Sequence, residues 1–250
     1  MKRFSTYLTE ARKRPVAVWV VGGAASGKST IAEAAIVKGL KFVLIDPDEP
    51  FEKILKKFKL GSDIEADSPE EKKRKAELKK AGVTKTTKMA DLKDPMDFFK
   101  GRRPTTNAAS AVGREITRRK QEDTLASRKN IVFVETGGQV GRIRNLKNKL
   151  ESEGWRTYIV FVGIRPDLDL NNQKNFDAVA KEIEKRGAKR QAGGGRGLSL
   201  DILKKSLSMM EKVKKDLVPL FGRSKMMVDT AEGDPRKNIN KVKAAIKRLI

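Results

Sequence analysis

The sequence predicts an α/β protein with about five strands in a mainly parallel sheet and helices on both faces. Short apolar runs rich in β-branched residues alternate with amphipathic segments of helical period, and a glycine-rich turn follows the first run. With 250 residues, 38% of them hydrophobic, the chain has enough apolar material for one elaborated domain.

The predicted strands are continuous apolar runs rather than alternating ones. This pattern is typical of strands that are covered on both faces of a parallel sheet. In chain order the predicted strands are Val16–Val21, Phe42–Ile45, Ile131–Val134, Thr157–Val162 and Lys225–Val228.

Helical patterns separate these strands. The segments are Thr30–Lys38, Gly113–Ala126, Arg142–Glu153, a series with apolar Leu203, Leu207, Met210 and Leu217, and a closing helix with Ile239, Val242, Ile246 and Leu249. Alternation of this kind predicts right-handed crossovers between parallel strands.

Two segments do not fit the alternating core. Glu52–Thr106 is lysine-rich and weakly apolar, and we expect a basic helical insertion there, with helices near Pro69–Ala81, that closes over a site. Gly187–Gly197 contains three consecutive glycines, which disfavour a helix throughout, and predicts a lid over about residues 186–197. The domain is expected to span residues 15–250, after a leader at 1–14.

The composition excludes several chemistries. The chain has no His and no Cys, so it has no Ser–His triad, thiol nucleophile, disulfide or ordinary zinc site. Lys, Arg, Ser, Thr, Asp and Glu remain, with a hard cation held by oxygen atoms, and this set suits phosphoryl transfer.

The net charge bears on partners and compartment. A formal charge of +24 attracts polyanions, so non-specific binding of DNA or RNA is a candidate property. No run of 18 apolar residues occurs, so no membrane partner is expected, and the lack of Cys favours a reducing cytoplasm.

The glycine-rich turn matches the Walker A pattern GxxxxGK[ST] between a buried strand and an amphipathic helix. Its backbone amides and the helix N-terminus would hold phosphate oxygens of ATP or GTP. Lys28 would reach the β- and γ-phosphates, and the Ser29 hydroxyl would ligate Mg²⁺. The motif therefore predicts a P-loop NTPase fold, with nucleotide bound by Gly22, Gly23, Ala24, Ala25, Ser26, Gly27, Lys28, Ser29 and Thr30.

Acidic residues follow the second and third predicted strands. Asp46 and Asp48 come after the second, and Glu135 and Thr136 after the third. Ligands of open parallel sheets bind beyond the carboxyl ends of the strands. Asp48 is favoured as the base that accepts the acceptor's proton, and Glu135 would hold Mg²⁺ through water or bind the acceptor.

Three arginines lie in or beside the predicted lid. Arg186, Arg190 and Arg196 would place positive charge where phosphate oxygens accumulate negative charge during transfer. A solvated basic loop and a contact to a nucleic-acid backbone are the alternatives.

The order of these motifs resembles the zeta-toxin-like branch of P-loop kinases, over about Pro15 to Thr230. The counterparts are Gly22–Thr30, Ile45-Asp46-Pro47-Asp48, Glu135-Thr136-Gly137 and the segment from Arg186 to Arg196. The resemblance implies phosphorylation of a hydroxyl with ATP or GTP, in known toxins on a UDP-amino sugar. It implies a base at Asp48, an acceptor contact at Glu135 and phosphate clamps at Arg186 and Arg196. Here Thr136 follows Glu135 without the family's intervening glycine.

The first residues resemble a second pattern. Met1–Ala11 looks like the capsid-targeting leaders of internal proteins in large tailed phages, which are cleaved after Leu/Ile-x-Glu, here after Glu10. This resemblance implies a phage-encoded protein located in the host cytoplasm or packaged in the virion. A short N-terminal helix is the alternative.

Three functions remain open from the sequence. The first is a zeta-toxin-like kinase with a UDP-sugar or another hydroxyl acceptor. The second is a polynucleotide or modified-base kinase, and the third is a nucleotide- and DNA-binding phage internal protein without catalysis. Whether an antitoxin partner exists is also open.

Overall fold

The computed structural model describes residues 14–58, 92–99, 105–192, 200–231 and 234–250, without the side chains of residues 106, 190–192 and 200–204. The predicted leader, the predicted helices near Pro69–Ala81 and Arg196 lie outside the described residues, and Arg190 is described by its backbone alone.

A five-stranded sheet of order β2-β3-β1-β4-β5 forms the centre of the fold. The strands are β1 Val16–Val21, β2 Val43–Ile45, β3 Ile131–Glu135, β4 Arg156–Gly163 and β5 Lys225–Asp229. β1 pairs in parallel with β3 and β4, and β4 pairs in parallel with β5. The predicted α/β class with five strands is confirmed.

Seven helices longer than two turns accompany the sheet in the described residues. The first, α1, has three consecutive parts, Lys28–Ile31, a π-helical Ala32–Val37 and Lys38–Leu40. The others are α2 Asp48–Phe58, α3 Thr106–Ala126, α4 Val140–Ser152, α5 Gln173–Ala192, α6 Leu200–Asp216 and α7 Pro235–Lys247. Short 3₁₀ helices lie at Pro95–Phe99 and Val218–Phe221.

β1 is central because every residue of it is apolar. All six of its side chains are fully buried, so helices must cover both faces of the sheet. On one face, Val16, Val18 and Val20 pack with α1 and α7 in the core. On the other face, the Trp19 ring stacks on Phe133 at 4.9 Å between centroids and meets the Phe221 ring edge-on at 5.5 Å.

The direction of chain progression reverses beside β1. The chain leaves β1 for the edge strand β2, returns through β3, and then crosses to β4 and β5 on the other side of β1. In open parallel sheets, ligands bind beyond the carboxyl ends of the strands at such a reversal. The turn after β1 is the predicted phosphate-binding loop, Gly22–Ser29.

The described residues group into two compact units. Of the described residues, 14–44, 124–189, 200–231 and 234–250 belong to the core unit, and 45–58, 92–99, 105–123 and 190–192 belong to the second unit. The second unit has its own apolar cluster, in which Phe51, Ile54 and Leu55 of α2 pack with Phe99 and with Ala109 and Val112 of α3. In the part of the chain that the structure describes, no helix has the length and apolar character needed to span a bilayer.

Candidate functional site: a phosphate-binding loop and its surroundings

The turn after β1 has the backbone shape of an anion-binding loop. Ala25 and Gly27 adopt left-handed conformations, with φ of +57° and +86°. Left-handed residues among right-handed ones turn successive N–H groups toward one point, where an anion can bind. A left-handed alanine is also strained, and such strain is concentrated at functional sites.

Gly22 is required by the close approach of the backbone. An added Cβ would clash with the Val162 carbonyl oxygen and lie 2.6 Å from Ser26 Oγ. Its N–H donates to the Glu135 carbonyl oxygen at 3.3 Å, which ties the start of the loop to the end of β3. The loop therefore lies at the carboxyl ends of β1, β3 and β4.

Two hydroxyl groups from distant parts of the chain hold the loop. Ser206 Oγ on α6 accepts a hydrogen bond from the Ala24 N–H at 2.8 Å. The Thr230 hydroxyl, directly after β5, donates to the Ser26 carbonyl oxygen at 2.9 Å, and the Gly163 carbonyl oxygen lies 3.1 Å from it. The methyl groups of Ala24 and Ala25 pack on an apolar cluster of α5 and α6.

Lys28 is the first residue of α1, where the partial positive charge of a helix N-terminus is greatest. Its Nζ lies 3.4 Å from the Gly23 carbonyl oxygen, so the side chain folds back over the loop. Ser29 and Thr30 follow it and are exposed. Lys28, Ser29 and the loop amides therefore lie together at the start of α1.

Arg186 contacts the loop through Thr230. Its guanidinium donates to the Thr230 hydroxyl at 3.1 Å and also to the Thr230 carbonyl oxygen. A third hydrogen bond runs to Glu182 Oε1 at 2.9 Å. The arginine lies inside α5, which continues to Ala192, whereas the sequence suggested a loop starting near this residue.

Glu135 is a mostly buried carboxyl group at the end of β3. Its side chain is 10% exposed, and it pairs with Arg142 of α4, which also donates to Gln139 at 2.7 Å. Burial raises the pKa of the Glu135 carboxyl above its usual range, and Arg142 offsets part of that rise. Thr136, the next residue, is exposed.

The available donors fit a magnesium ion bound mainly by nucleotide phosphates. The described residues contain no group of three or more acidic side chains placed to hold a metal ion. Mg²⁺ usually takes one or two protein oxygen ligands and completes its shell with phosphate and water. The exposed Ser29 hydroxyl is an oxygen donor of the kind that this pattern needs, and Glu135 lies at the neighbouring strand end.

The core unit has a second concave surface near Thr230. A cleft of about 750 Å³ is lined by Ile164 and Arg165 after β4, by one side of α5, and by Ala231 next to Thr230. Arg165 has φ of +48°, and its N–H donates to Asp229 Oδ1 at 2.8 Å, which fixes this strained turn.

The second unit encloses a smaller cavity of about 290 Å³. Its apolar wall is formed by Pro50, Ile54, Met96 and Ile116, and its charged residues are Asp46, Glu49, Lys53, Lys57 and Lys120. The Glu49 carboxylate is 2.7 Å from Lys53 Nζ and 3.7 Å from Lys120 Nζ. Lys57 has no carboxylate partner among the described ion pairs, and its Nζ lies 5.6 Å from the Phe58 ring centroid.

Asp46 and Asp48 are placed differently. Asp46 lines the cavity, whereas Asp48 is the exposed first residue of α2 and is absent from the cavity wall. The Asp48 N–H donates to Asp46 Oδ1 at 3.0 Å, so the two residues form a turn at the start of α2.

The structure brings together many, but not all, of the predicted site residues in the core unit. The loop residues, Glu135 and Arg186 surround the end of β1, while Asp46 and Asp48 belong to the second unit. Sequence reasoning missed Ser206, Thr230 and Arg142. Thr230 comes directly after β5, and ligands of open parallel sheets bind beyond the carboxyl ends of the strands. The same argument that selected Glu135 would therefore have selected Thr230. A serine within a helical pattern carries no comparable signal.

Comparison with solved structures supports the fold. A protein from Chloroflexus aurantiacus described as a candidate kinase superposes with a TM-score of 0.51, at 14% identity, over 96% of this chain and all of that one. A gluconokinase from Sinorhizobium meliloti covers 95% of both chains at 18% identity, with a TM-score of 0.45. A chain of the PezAT toxin–antitoxin system of Streptococcus pneumoniae matches at 14% identity over 87% of this chain and 93% of its own, with a TM-score of 0.33.

At these identities the likeness concerns the fold alone. Of these three structures, the one from Chloroflexus aurantiacus is similar enough to support the fold, with a TM-score above 0.5. No protein-family model matches the chain, and no curated protein matches it. The chain has the α/β fold found in that candidate kinase, with the glycine-rich Walker A sequence at the end of its central strand.

Proposed function

We propose that this chain is a nucleoside-triphosphate-dependent phosphotransferase that transfers a γ-phosphoryl group to a hydroxyl acceptor. One observation carries the proposal. A Walker A sequence with left-handed Ala25 and Gly27 lies at the carboxyl end of the central strand and opens a helix at Lys28.

The phosphates of ATP or GTP are proposed to bind in that loop. Lys28 neutralises the charge of the transferred group, and the loop amides orient it. Mg²⁺ would supply charge neutralisation between the β- and γ-phosphates. Ser29 would provide a direct ligand, and Glu135 would hold a water of its shell or contact the acceptor.

The cleft of about 750 Å³ beside α5 is proposed to hold the base and ribose. It borders Ala231, whose neighbour Thr230 contacts the loop through Ser26. Arg186, which lies on α5, is then proposed to supply positive charge beside the loop. Arg196, farther along the sequence, is proposed to contact phosphate oxygens as the resemblance implies, and Arg190 is proposed to belong to the same lid.

The cavity of the second unit is proposed to bind the acceptor. Its volume of about 290 Å³ lies at the small end of the range for ligand sites. Three lysines against Asp46 and Glu49 leave an excess of positive charge. We therefore propose a small hydroxyl compound with an apolar face and an anionic group. Two larger acceptors, a UDP-amino sugar and the end of a polynucleotide, are to be compared with such a small compound in the transfer assay.

The first experiment measures ATP and GTP binding by calorimetry and γ-phosphoryl transfer from labelled nucleotide, with Mg²⁺ present. Lys28→Ala should reduce transfer by about 100-fold or more, because it removes charge at the transferred group. Lys38→Ala, on an exposed position of the same helix, should leave transfer unchanged. Failure of the wild-type protein to bind either nucleotide refutes the proposal.

A second pair of variants assigns the base. Asp46→Asn and Asp48→Asn should both retain nucleotide binding. Because Asp46 lines the cavity, we expect it to be the base, so Asp46→Asn should lose transfer by about 100-fold while Asp48→Asn loses little. The reverse result assigns the base to Asp48, as the sequence suggested.

The acceptor panel contains UDP-sugars, nucleosides, nucleoside monophosphates, sugar phosphates and DNA ends. Transfer to a monophosphate that exceeds transfer to its nucleoside supports an anionic acceptor. Phage origin and cleavage of a leader after Glu10 remain predictions from resemblance alone, and the existence of an antitoxin remains open.

A further inference from the structure

The closing helix α7 has an unusual distribution of charge. Residues 235–250 contain six basic residues and no acidic residue: Arg236, Lys237, Lys241, Lys243, Lys247 and Arg248. All six are exposed. No ion pair joins any of them to a carboxylate of the described residues. Asp234 precedes them and caps the helix by accepting from the Arg236 N–H at 2.9 Å.

The charges occupy one side of the helix and the apolar residues the other. At about 100° per residue, the six basic positions fall within an arc of about 160°. Val242 and Ile246 are fully buried on the opposite side, where they join the core with Ile239 and Leu249. The fold therefore holds the basic side of α7 toward solvent, over a length of about 20 Å.

Neighbouring elements extend this surface. The aliphatic part of Lys243 lies 3.2 Å from the position that a Cβ would occupy on Gly39, at the end of α1. Lys38 and Lys41 flank that glycine and are exposed. Just beyond the C-terminal end of α7, Arg156 donates to the Leu249 carbonyl oxygen at 2.7 Å. We call these residues together the α7 basic surface.

We propose that the α7 basic surface binds the phosphate backbone of a nucleic-acid duplex. Lys38 at the edge of the surface pairs with Glu33 at 2.9 Å, but the six basic residues of α7 have no carboxylate among them. Such a row of like charges matches a regular polyanion, for which release of condensed counterions supplies the affinity. The surface carries no aromatic side chain on which unpaired bases stack, which disfavours single strands. Because the apolar side of α7 is buried in the core, the helix has no apolar face to insert into a membrane.

This proposal goes beyond phosphoryl transfer and does not require it. The surface is built from α7, the end of α1 and the start of β4, whereas the phosphate-binding loop follows the end of β1. Neutralising lysines of α7 should therefore leave nucleotide binding at the loop unchanged.

The test compares two variants of equal charge. In the first, Lys237, Lys241, Lys243 and Lys247 are all changed to Gln. In the control, four exposed lysines elsewhere in the core unit, Lys129, Lys174, Lys212 and Lys215, are changed to Gln. Each variant carries four positive charges fewer than the wild-type +24.

Binding of the full chain to a DNA duplex of about three helical turns is measured by fluorescence anisotropy between about 50 and 200 mM salt. The α7 variant should bind at least about 10-fold more weakly at low salt. Its slope of log K against log salt should be shallower by about 0.9 for each phosphate that the surface no longer neutralises. The control should keep most of the wild-type affinity and slope.

Several outcomes overturn the proposal. Equal weakening of both variants shows that net charge, and not this surface, governs binding. Undiminished binding by the α7 variant refutes the surface directly. Tighter wild-type binding to the single strand, or to vesicles rich in phosphatidylserine, refutes the duplex as the partner. Far-UV circular dichroism and ATP binding of both variants confirm that each is folded.

Discussion

At the scale of single residues, Glu135 combines burial with a charged partner. Its pKa is raised above 4.5, so between that value and the folded-state pKa the folded protein binds more protons than the unfolded chain. Stability contributed by this group therefore decreases as the pH rises through that interval. A buried acid that costs stability at neutral pH is typical of a residue kept for function.

Glu135→Gln should accordingly have a higher free energy of unfolding than the wild type, and the difference should be larger at about pH 7 than at about pH 4. It should also reduce phosphoryl transfer by about 10- to 100-fold, as expected for a group that orients a metal shell. Urea unfolding at both pH values and a transfer assay check the two effects. A variant that is less stable at the higher pH would show that the pair with Arg142, rather than burial, dominates.

Thr230 offers a test of the contacts that hold the phosphate-binding loop. Thr230→Val keeps the shape but removes the hydroxyl that links Arg186 to the Ser26 carbonyl oxygen, while Thr230→Ser keeps that hydroxyl. Removing a hydrogen bond of about 1 kcal/mol predicts nucleotide binding about 5-fold weaker in the valine variant. Calorimetry should show near wild-type binding for the serine variant. Weakening in the serine variant alone would instead assign the role to the methyl group, which the valine variant keeps and which lies 3.7 Å from the Cβ position of Gly27.

The sequence predicted the local part of the site better than its tertiary contacts. The Walker A spacing identifies the loop because its signal is contained in eight consecutive residues, Gly22–Ser29. Ser206 and Ala24 are bonded although 182 positions separate them, and no local pattern reports such a contact. The sequence favoured Asp48 over Asp46 as the base, whereas the structure places Asp46, and not Asp48, on the cavity wall.

At the scale of elements, the buried strands were the most predictable. The prediction for β1 agrees at both ends, and the other four strands agree within one residue at each end. They are short apolar runs without a helical period, and all but β5 are rich in β-branched or aromatic residues. Helix ends were less predictable: α3 begins at Thr106 and not at Gly113, because Ala109 and Val112 pack against α2 in a cluster that the sequence alone does not reveal.

The helix α3 is stabilised by a small network of charges. Glu115 pairs with Arg118 at 2.7 Å and with Arg119 at 2.8 Å, and Arg118 also pairs with Glu122 at 2.6 Å. Hydrogen bonding from Arg118, opposed by desolvation and joined by Arg119, lowers the pKa of Glu115 from 4.5 to about 2.

Glu115→Gln should destabilise the second unit by about 1 kcal/mol at neutral pH, because two charge-assisted contacts are weakened. The lowered pKa means that the wild-type advantage is present above about pH 4.5 and is lost as the pH falls toward 2. Thermal unfolding followed by circular dichroism at several pH values measures this. Glu122→Gln, which removes one exposed pair, is the matched control and should have less than half the effect.

At the scale of the whole molecule, the two compact units differ in what they contain. Both tryptophans, Trp19 and Trp155, are buried in the core unit, and residues 45–123 and 190–197 contain no Trp and no Tyr. Each unit has its own apolar cluster in the described residues. Tryptophan fluorescence therefore reports on the core unit alone, whereas far-UV circular dichroism reports on the helices of both.

This difference predicts unfolding curves that do not coincide. Separate cores allow separate transitions, so we expect the second unit to unfold at a lower urea concentration than the core unit. Circular dichroism should then begin to change before tryptophan fluorescence does. Addition of nucleotide with Mg²⁺ at about 100 times its Kd should stabilise the fluorescence transition by about 2.7 kcal/mol, because the phosphate-binding loop belongs to the core unit. The transition seen only by circular dichroism should shift less. Coincident curves that shift together would instead show that the two units unfold as one cooperative structure, and that occupation of the loop is sensed throughout the chain.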